Sequence, residues 1–304
     1  MKSCRKFSLI AILAFIFYCC GEKNPLKPGA GGGRSDSFAT VPQRFPITPG
    51  QIDEASGLTD SRTINGYLWT HQDAGSVTKL YLIKHDGTDI RSYIPTGITN
   101  RDWEDIAVGA GPTEGVSYLY VGDIGNNDSN PGVTSQFIYR MPELTSLDGQ
   151  FNAASIDRIT YQYPDSPRDA ETLLFDPLTK DLFIVSKELT QTNLYRLPYP
   201  QAIEGVMRAE LIGRIPTVLL ATGGDISADG KEIIVRTYSA IYYWKRPEGQ
   251  SIGEVLTKNP DKMLPYELEP QGEAVCFDKE MNGYFTISER RNAPSVTLNY
   301  YKRQ

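Results

Sequence analysis

Histidine is scarce in this chain, with two among 304 residues, and cysteine nearly as scarce, with four. Cys4, Cys19 and Cys20 fall in the first twenty residues, so only Cys276 remains beyond them and no intramolecular disulfide framework is available. Its setting, EAVCFD, is an apolar strand, where a buried inert thiol is expected rather than a nucleophile. With only His71 and His85, a zinc site or a Ser-His-Asp triad has little to build on. Basic residues are also outnumbered: 31 Lys and Arg against 37 Asp and Glu give a formal charge of −6. Losing Lys2, Arg5 and Lys6 with the first twenty residues takes −6 to −9. That argues against nucleic acid as a partner, because duplex binding rests on a basic face, and it suits a cation-binding protein.

The longest apolar stretch, residues 9–18, is too short to span a bilayer. With the basic head before it and CysCys after it, residues 1–20 read as a lipoprotein-type signal peptide, with Cys20 the expected lipidated residue. A plain secretory signal is the alternative, since Phe17 and Tyr18 are bulky for a lipidation signal. Residues 21–37, including AGGGRSDS, read as a flexible tether, and residues 38–304 as one domain. The expected location is the membrane surface, facing the periplasm or the cell exterior.

What the chain has in quantity is 18 Tyr, 27 Gly and 20 Pro, with apolar runs of four to seven residues between them, the composition of many short strands. One pattern recurs: an acid, a short apolar strand, a turn and a second apolar strand. The copies are Glu54-ASGL with GYLWTHQD, Glu104-DIAV with SYLYVGDIG, Glu171-TLLF with DLFIVSKE, Asp225-ISADGKEIIVRTY, and Glu273-AVCF with GYFTISER. Their acids are 50, 67, 54 and 48 residues apart. Two further strand-like runs fill each interval, as in KLYLIKHDG with DIRSYIP, although residues 251–268 are ambiguous. Four strands per repeat is the unit of a propeller blade. The last repeat is one strand short after VTLNYYKR, and residues 38–47 can supply it. The predicted fold is therefore all-β: a five-bladed β-propeller with four strands per blade, its ring closed by the N-terminal strand. A pair of β-sandwiches is the alternative, and it would not need an acid at one place in every repeat.

First strands of blades line the central channel, so Glu54, Glu104, Glu171, Asp225 and Glu273 are expected to face a common axis. Crowded carboxylates repel one another unless a cation or protons intervene. Oxygen-only ligands select Ca²⁺, with Mg²⁺ the alternative. Such acids could instead cap turns or pair with arginines. The ends of the second strands carry His71 and Asp73, Asp123 and Asn126, Lys187 and Glu188, Arg236 and Tyr238, and Glu289 and Arg290. Of these, His71, Asp123, Lys187, Arg236 and Arg290 are the candidate catalytic residues, or else members of packed cores and rim salt bridges. The loop GDIGNNDSNPG spaces Asn126, Asp128 and Asn130 loosely like a calcium loop, but Pro131 stands where that motif needs glycine, and turn chemistry explains most of it.

The segments DWEDIAV with YLYVGDIG, and GEAVCF, resemble the second and last blades of the five-bladed calcium-activated nucleotidases, the apyrases. RDAETLLFDP, TGGDISADG and EPQGEAVCFD resemble bacterial phytase-like and esterase-like propeller proteins, many of them lipoproteins. The resemblance implies Glu104, Glu171 and Glu273 as metal ligands, whereas Glu54 and Asp225 fall where apyrases vary. Long base-binding insertions of the apyrase kind are not evident. The function so implied is a calcium-dependent hydrolase of a small anionic phosphoester or ester, acting as a monomer. The alternative is a non-catalytic propeller module with a structural Ca²⁺ that recognises a glycan or protein.

Overall fold

The computed structural model describes residues 34–127 and 130–304. The signal segment with Cys20, nearly all of the tether and Asp128 of the candidate calcium loop lie outside the described residues. Strand β1 (Gln43–Pro46) precedes the first blade, which comprises β2 (Ala55–Asp60), β3 (Tyr67–Gln72), β4 (Leu80–Lys84) and β5 (Ile90–Tyr93). Blade 2 is β6 (Trp103–Ala110), β7 (Ser117–Asp123), β8 (Gln136–Pro142) and β9 (Asp157–Gln162). Blade 3 is β10 (Ala170–Phe175), β11 (Leu182–Ser186) and β12 (Thr192–Leu197), followed after the two-residue β13 (Met207–Arg208) by β14 (Glu210–Ile215). Blade 4 is β15 (Ala221–Ile226), β16 (Glu232–Thr237), β17 (Ile241–Lys245) and the short β18 (Lys262–Met263). Blade 5 is β19 (Gln271–Phe277), β20 (Gly283–Glu289) and β21 (Thr297–Lys302).

Each blade is an antiparallel sheet paired in chain order, and β13 adds a parallel fifth strand to the outer edge of blade 2. The fourth strand of blade 5 is β1, which pairs with β21 in the register Gln43 to Tyr300 and Pro46 to Thr297. The five-bladed propeller closed by an N-terminal strand is thus the observed architecture. The ambiguous stretch between β17 and β19 holds α1 (Ile252–Leu256), started by a capping box between Ser251 and Glu254, and then β18.

First strands touch around the ring, β2 to β6, β6 to β10, β10 to β15, β15 to β19 and β19 back to β2. The apolar core is divided among the five seams between neighbouring blades. At the seam of blades 2 and 3, for instance, Tyr120 stacks on Phe175 at 5.2 Å between centroids. Cys276 is a free, fully buried thiol at the seam of blades 5 and 1, where burial pushes its pKa well up. Among the described residues no helix is long and apolar enough to cross a membrane.

Candidate functional site: an acidic basin at one end of the channel

Every first strand carries a β-bulge against its second strand near its start. The extra residue is Gly57, Glu104, Glu171, Thr222 or Glu273 in blades 1 to 5. A bulged residue is left out of the ladder and its side chain is re-aimed, and here the three glutamates converge. Burial, and then Glu171, pushes the Glu104 carboxyl well above the usual carboxylate range. Burial, and then Glu273, does the same to Glu171.

The five acids expected to share one ring therefore separate. Glu104, Glu171 and Glu273 occupy the bulge; Glu54 lies three residues before it and Asp225 three residues beyond it. Glu54 is exposed, and its backbone bridges to Glu289 of blade 5. Asp225 accepts hydrogen bonds from the N–H of Ile226 at 2.8 Å and of Phe277 at 2.9 Å, stitching blade 4 to blade 5. Asp105 does the same job between blades 2 and 3, bonded to the N–H of Ile106 and Leu173, both at 2.8 Å. In blade 1 an acid has no room at the bulge. Gly57 is left-handed at φ 61°, and a Cβ there would come within 2.6 Å of His71 Nε2 and 2.8 Å of the Ile106 nitrogen.

Acids outside the expected set complete the basin. One oxygen each from Asp73, Asp102 and Glu104 lies within 4.8 Å of the others. Asp102 precedes β6 and Asp73 follows β3. Burial, then Asp73, pushes Asp102 up to about 6. Burial, then Glu273, pushes Glu289 up to about 7. Gly125 folds over the cluster, its Cα so near Asp102 and Glu104 that a Cβ would collide with both carboxylates. The following N–H, of Asn126, donates to Asp169 Oδ1 at 2.8 Å.

The candidate catalytic residues have separate roles. Lys187 is in the basin: its ammonium pairs with Glu171 and lies 5.3 Å from the centre of the Tyr238 ring. Burial alone would lower the Lys187 pKa, but Glu171 outweighs it and keeps the ammonium protonated. Asp123 is wholly buried, paired with Arg101 at 3.0 Å, and accepts the Asp102 N–H at 3.1 Å, so it positions Asp102. His71 is buried beneath Gly57 with its ring edge-on to Trp103, and burial lowers its pKa to about 4, which makes it a neutral core residue. Arg236 is wholly buried, giving hydrogen bonds to Ala274 O at 2.7 Å and Tyr266 Oη at 2.8 Å and pairing with Glu269. It braces blade 4 on blade 5. Arg290 lies 2.9 Å from Asp53 on the rim. Register explains these departures: Lys187 lies just past β11, one residue beyond the partner of Ala170, as Tyr238 does beyond the partner of Ala221 in blade 4, whereas Arg236 sits two residues deeper, opposite Gly223.

Asp102 and Asp169 had a readable signal: Arg101-Asp-Trp-Glu104 and Arg168-Asp-Ala-Glu171 repeat Arg-Asp-x-Glu, which sets an acid two residues before the bulged glutamate in blades 2 and 3. Other cavities exist, including one of about 550 Å³ at the seam of blades 1 and 5. Its buried carboxylates are already bonded, Asp60 to His85 and the Lys279 N–H and Asp278 to the Tyr300 hydroxyl and the Asn282 N–H, so the basin offers the more reactive chemistry.

The fold has solved counterparts. A luciferin-regenerating enzyme aligns at 12% identity over 86% of this chain and 95% of its own, with a TM-score of 0.44. An auxiliary nutrient binding protein from Bacteroides thetaiotaomicron aligns at 10% identity over 87% and 73%, with a TM-score of 0.47. A "Putative phosphatase" from the same organism aligns at 12% identity over 88% and 78%, with a TM-score of 0.50. At such identities the likeness is one of fold alone. No protein-family model and no curated protein matches the sequence.

Proposed function

We propose that the basin binds a divalent cation, Ca²⁺ ahead of Mg²⁺, and that the protein is a cation-dependent hydrolase of a phosphoester or ester. The observation that carries this reading is the cluster of Asp73, Asp102 and Glu104, joined by an orphan: Glu171 Oε2 is buried with no hydrogen-bond partner. A buried carboxylate oxygen with no donor is costly unless protonated or bound to a cation. The donors are all oxygen, which fits a hard ion. Asp73, Asp102 and Glu104 would hold it, with Glu171 beside them and Glu273 across the basin.

Bound there, the ion would polarise a substrate oxygen and acidify a bound water. Lys187, fixed by Glu171 and Tyr238, would hold the substrate's oxygen. Glu289, at about 7, is suited to take a proton near neutral pH. The apyrase-like and phytase-like segments support the same reading. We place the protein on a membrane through a lipidated Cys20, which labelling of wild type and Cys20→Ser with a fatty-acid probe tests directly.

The deciding experiment is a calcium titration followed by melting temperature, with a calcium-dependent assay on a panel of esters and phosphoesters. A calcium-induced rise, lost in Asp102→Asn together with turnover, is expected. No rise would remove the cation site. A rise without turnover on any substrate would leave a calcium-stapled binding module, which the absence of histidine from the basin among the described residues also allows.

A further inference from the structure

Resting on that reading of the basin, we propose that its substrate is an ester of low charge, neutral or a monoanion, with an apolar body, and that phosphomonoester dianions and polyphosphates are excluded. Recognition of a phosphate dianion calls for several free guanidinium or ammonium groups. Here Arg236 is sealed under the basin on Glu269 and Tyr266, and Arg290 pairs with Asp53. Arg101 bonds Asp123 and the carbonyls of Asp123 and Gly125, and Arg168 contacts Glu188 and Asp165. Two cations reach the carboxylates, and each is already engaged: Lys187 by Glu171, and Arg291 by Glu289 at 3.7 Å.

Against these two cations stand Asp73, Asp102, Glu104, Asp169, Glu171, Glu273 and Glu289. A single divalent ion with Lys187 and Arg291 supplies four positive charges to seven carboxyl groups. The site stays anionic when loaded, and a substrate bringing two more negative charges enters against that field. An ester carbonyl or a phosphodiester asks only for the ion and one further donor.

The connections around the mouth point to the rest of the molecule. Those following β3 and β11 and those preceding β15 and β19 run at the basin end, and carry Val77, Leu189, Leu219 and Leu268. These side chains are 44–79% exposed. The Leu220 N–H donates to Glu188 O at 3.0 Å, holding the Leu219 and Leu189 connections together. An acidic hole with aliphatic residues around it suits a substrate whose reactive group is small and whose body is apolar.

The test uses the full chain in calcium with substrates sharing one leaving group: 4-nitrophenyl acetate and hexanoate, bis(4-nitrophenyl) phosphate and 4-nitrophenyl phosphate. We expect kcat/KM for the neutral ester or the diester to exceed that for the phosphate dianion at least tenfold, and to rise from acetate to hexanoate. Raising ionic strength should narrow the gap to the dianion, and Glu273→Gln with Glu289→Gln should narrow it further. Calorimetry gives a readout independent of turnover: dimethyl phosphate should bind the calcium-loaded protein more tightly than inorganic phosphate. Equal or tighter binding of inorganic phosphate, preference for 4-nitrophenyl phosphate, or binding of neither probe would overturn the proposal. If calcium itself leaves the melting temperature unchanged, the cation-site reading falls first and this inference goes with it. A calcium response with a dianion preference sinks the substrate class alone.

Discussion

The two ends of the channel are built from the same strands and could hardly differ more. At the start of β6, β10 and β19 stand Glu104, Glu171 and Glu273, buried and mutually repelling. At the far end of β6, β10 and β15 stand Val108, Phe175 and Ile226, lining an apolar cavity of about 350 Å³ with Arg62. The far end is stabilised by dispersion and burial, and tolerates small losses. The acidic end is held in shape by blades that would be more stable without it, as functional sites often are. Stability and chemistry are thus assigned to opposite ends of one set of strands.

The largest effect should come from the brace beneath the acidic end. Arg236→Met leaves Glu269 buried beside Thr286 and Asn299 with no counter-charge. Breaking one side of a buried pair costs about 3–5 kcal/mol, which denaturant unfolding would read. If Arg236 instead serves the anion, the loss would appear in KM with stability intact.

Next comes calcium. At a hundredfold excess over Kd a ligand seen only by the folded state adds about 2.7 kcal/mol, worth roughly 5–10 °C for a domain of this size. Asp102→Asn should abolish that rise, as followed by differential scanning calorimetry. An equal response in the variant would move the cation site elsewhere.

A third test separates the basin from the stitch at Asp225. Asp225 is raised to about 7 from 3.8 by burial, which outweighs Arg62, and Glu289 to about 7 from 4.5. Below both unfolded values folded and unfolded chains are protonated alike. As pH climbs from about 4 to 7 the unfolded chain releases these protons first, so the chelated protein loses stability across that window. Calcium competes with protons in the basin and not at Asp225, so it should reverse only part of the loss, and Asp225→Asn should remove the remainder. Melts at several pH values, with chelator and with calcium, would show it. Calcium cancelling the whole slope would refute the separation.

The smallest effect belongs to the apolar end. Ile226→Val should cost about 1 kcal/mol and leave the calcium response unaltered. A changed response would mean the two ends are coupled through the strands.

The fold was legible because each blade repeats local chemistry: two apolar strands after an acid, with turns between, five times. Even the closing strand followed from a count, since the fifth repeat ended one strand short. The site was legible only in part. Glu104, Glu171 and Glu273 stood out, but the pattern of an acid before an apolar run has no fixed frame. Glu54 and Asp225 fit it while lying three residues off the bulge, because the bulge is set by pairing across the sheet and leaves no mark in one strand's sequence. Arg236 and Lys187 both stand near the ends of second strands, but the pairing puts Arg236 two residues deeper, where it meets Tyr266 and Glu269, some thirty residues away in the chain.

The pairing of β1 with β21 brings Gln43 beside Tyr300, across more than two hundred residues of chain. Contacts of such separation are entropically expensive to close and form slowly. Glu273 and Glu289 belong to the blade that this pairing completes, while Asp73 and Asp102 come from its beginning. Until the last strand is in place the basin lacks the wall that carries Glu273 and Glu289, so calcium held by Asp73, Asp102 and Glu104 should tighten late in refolding and can serve as a clock for ring closure.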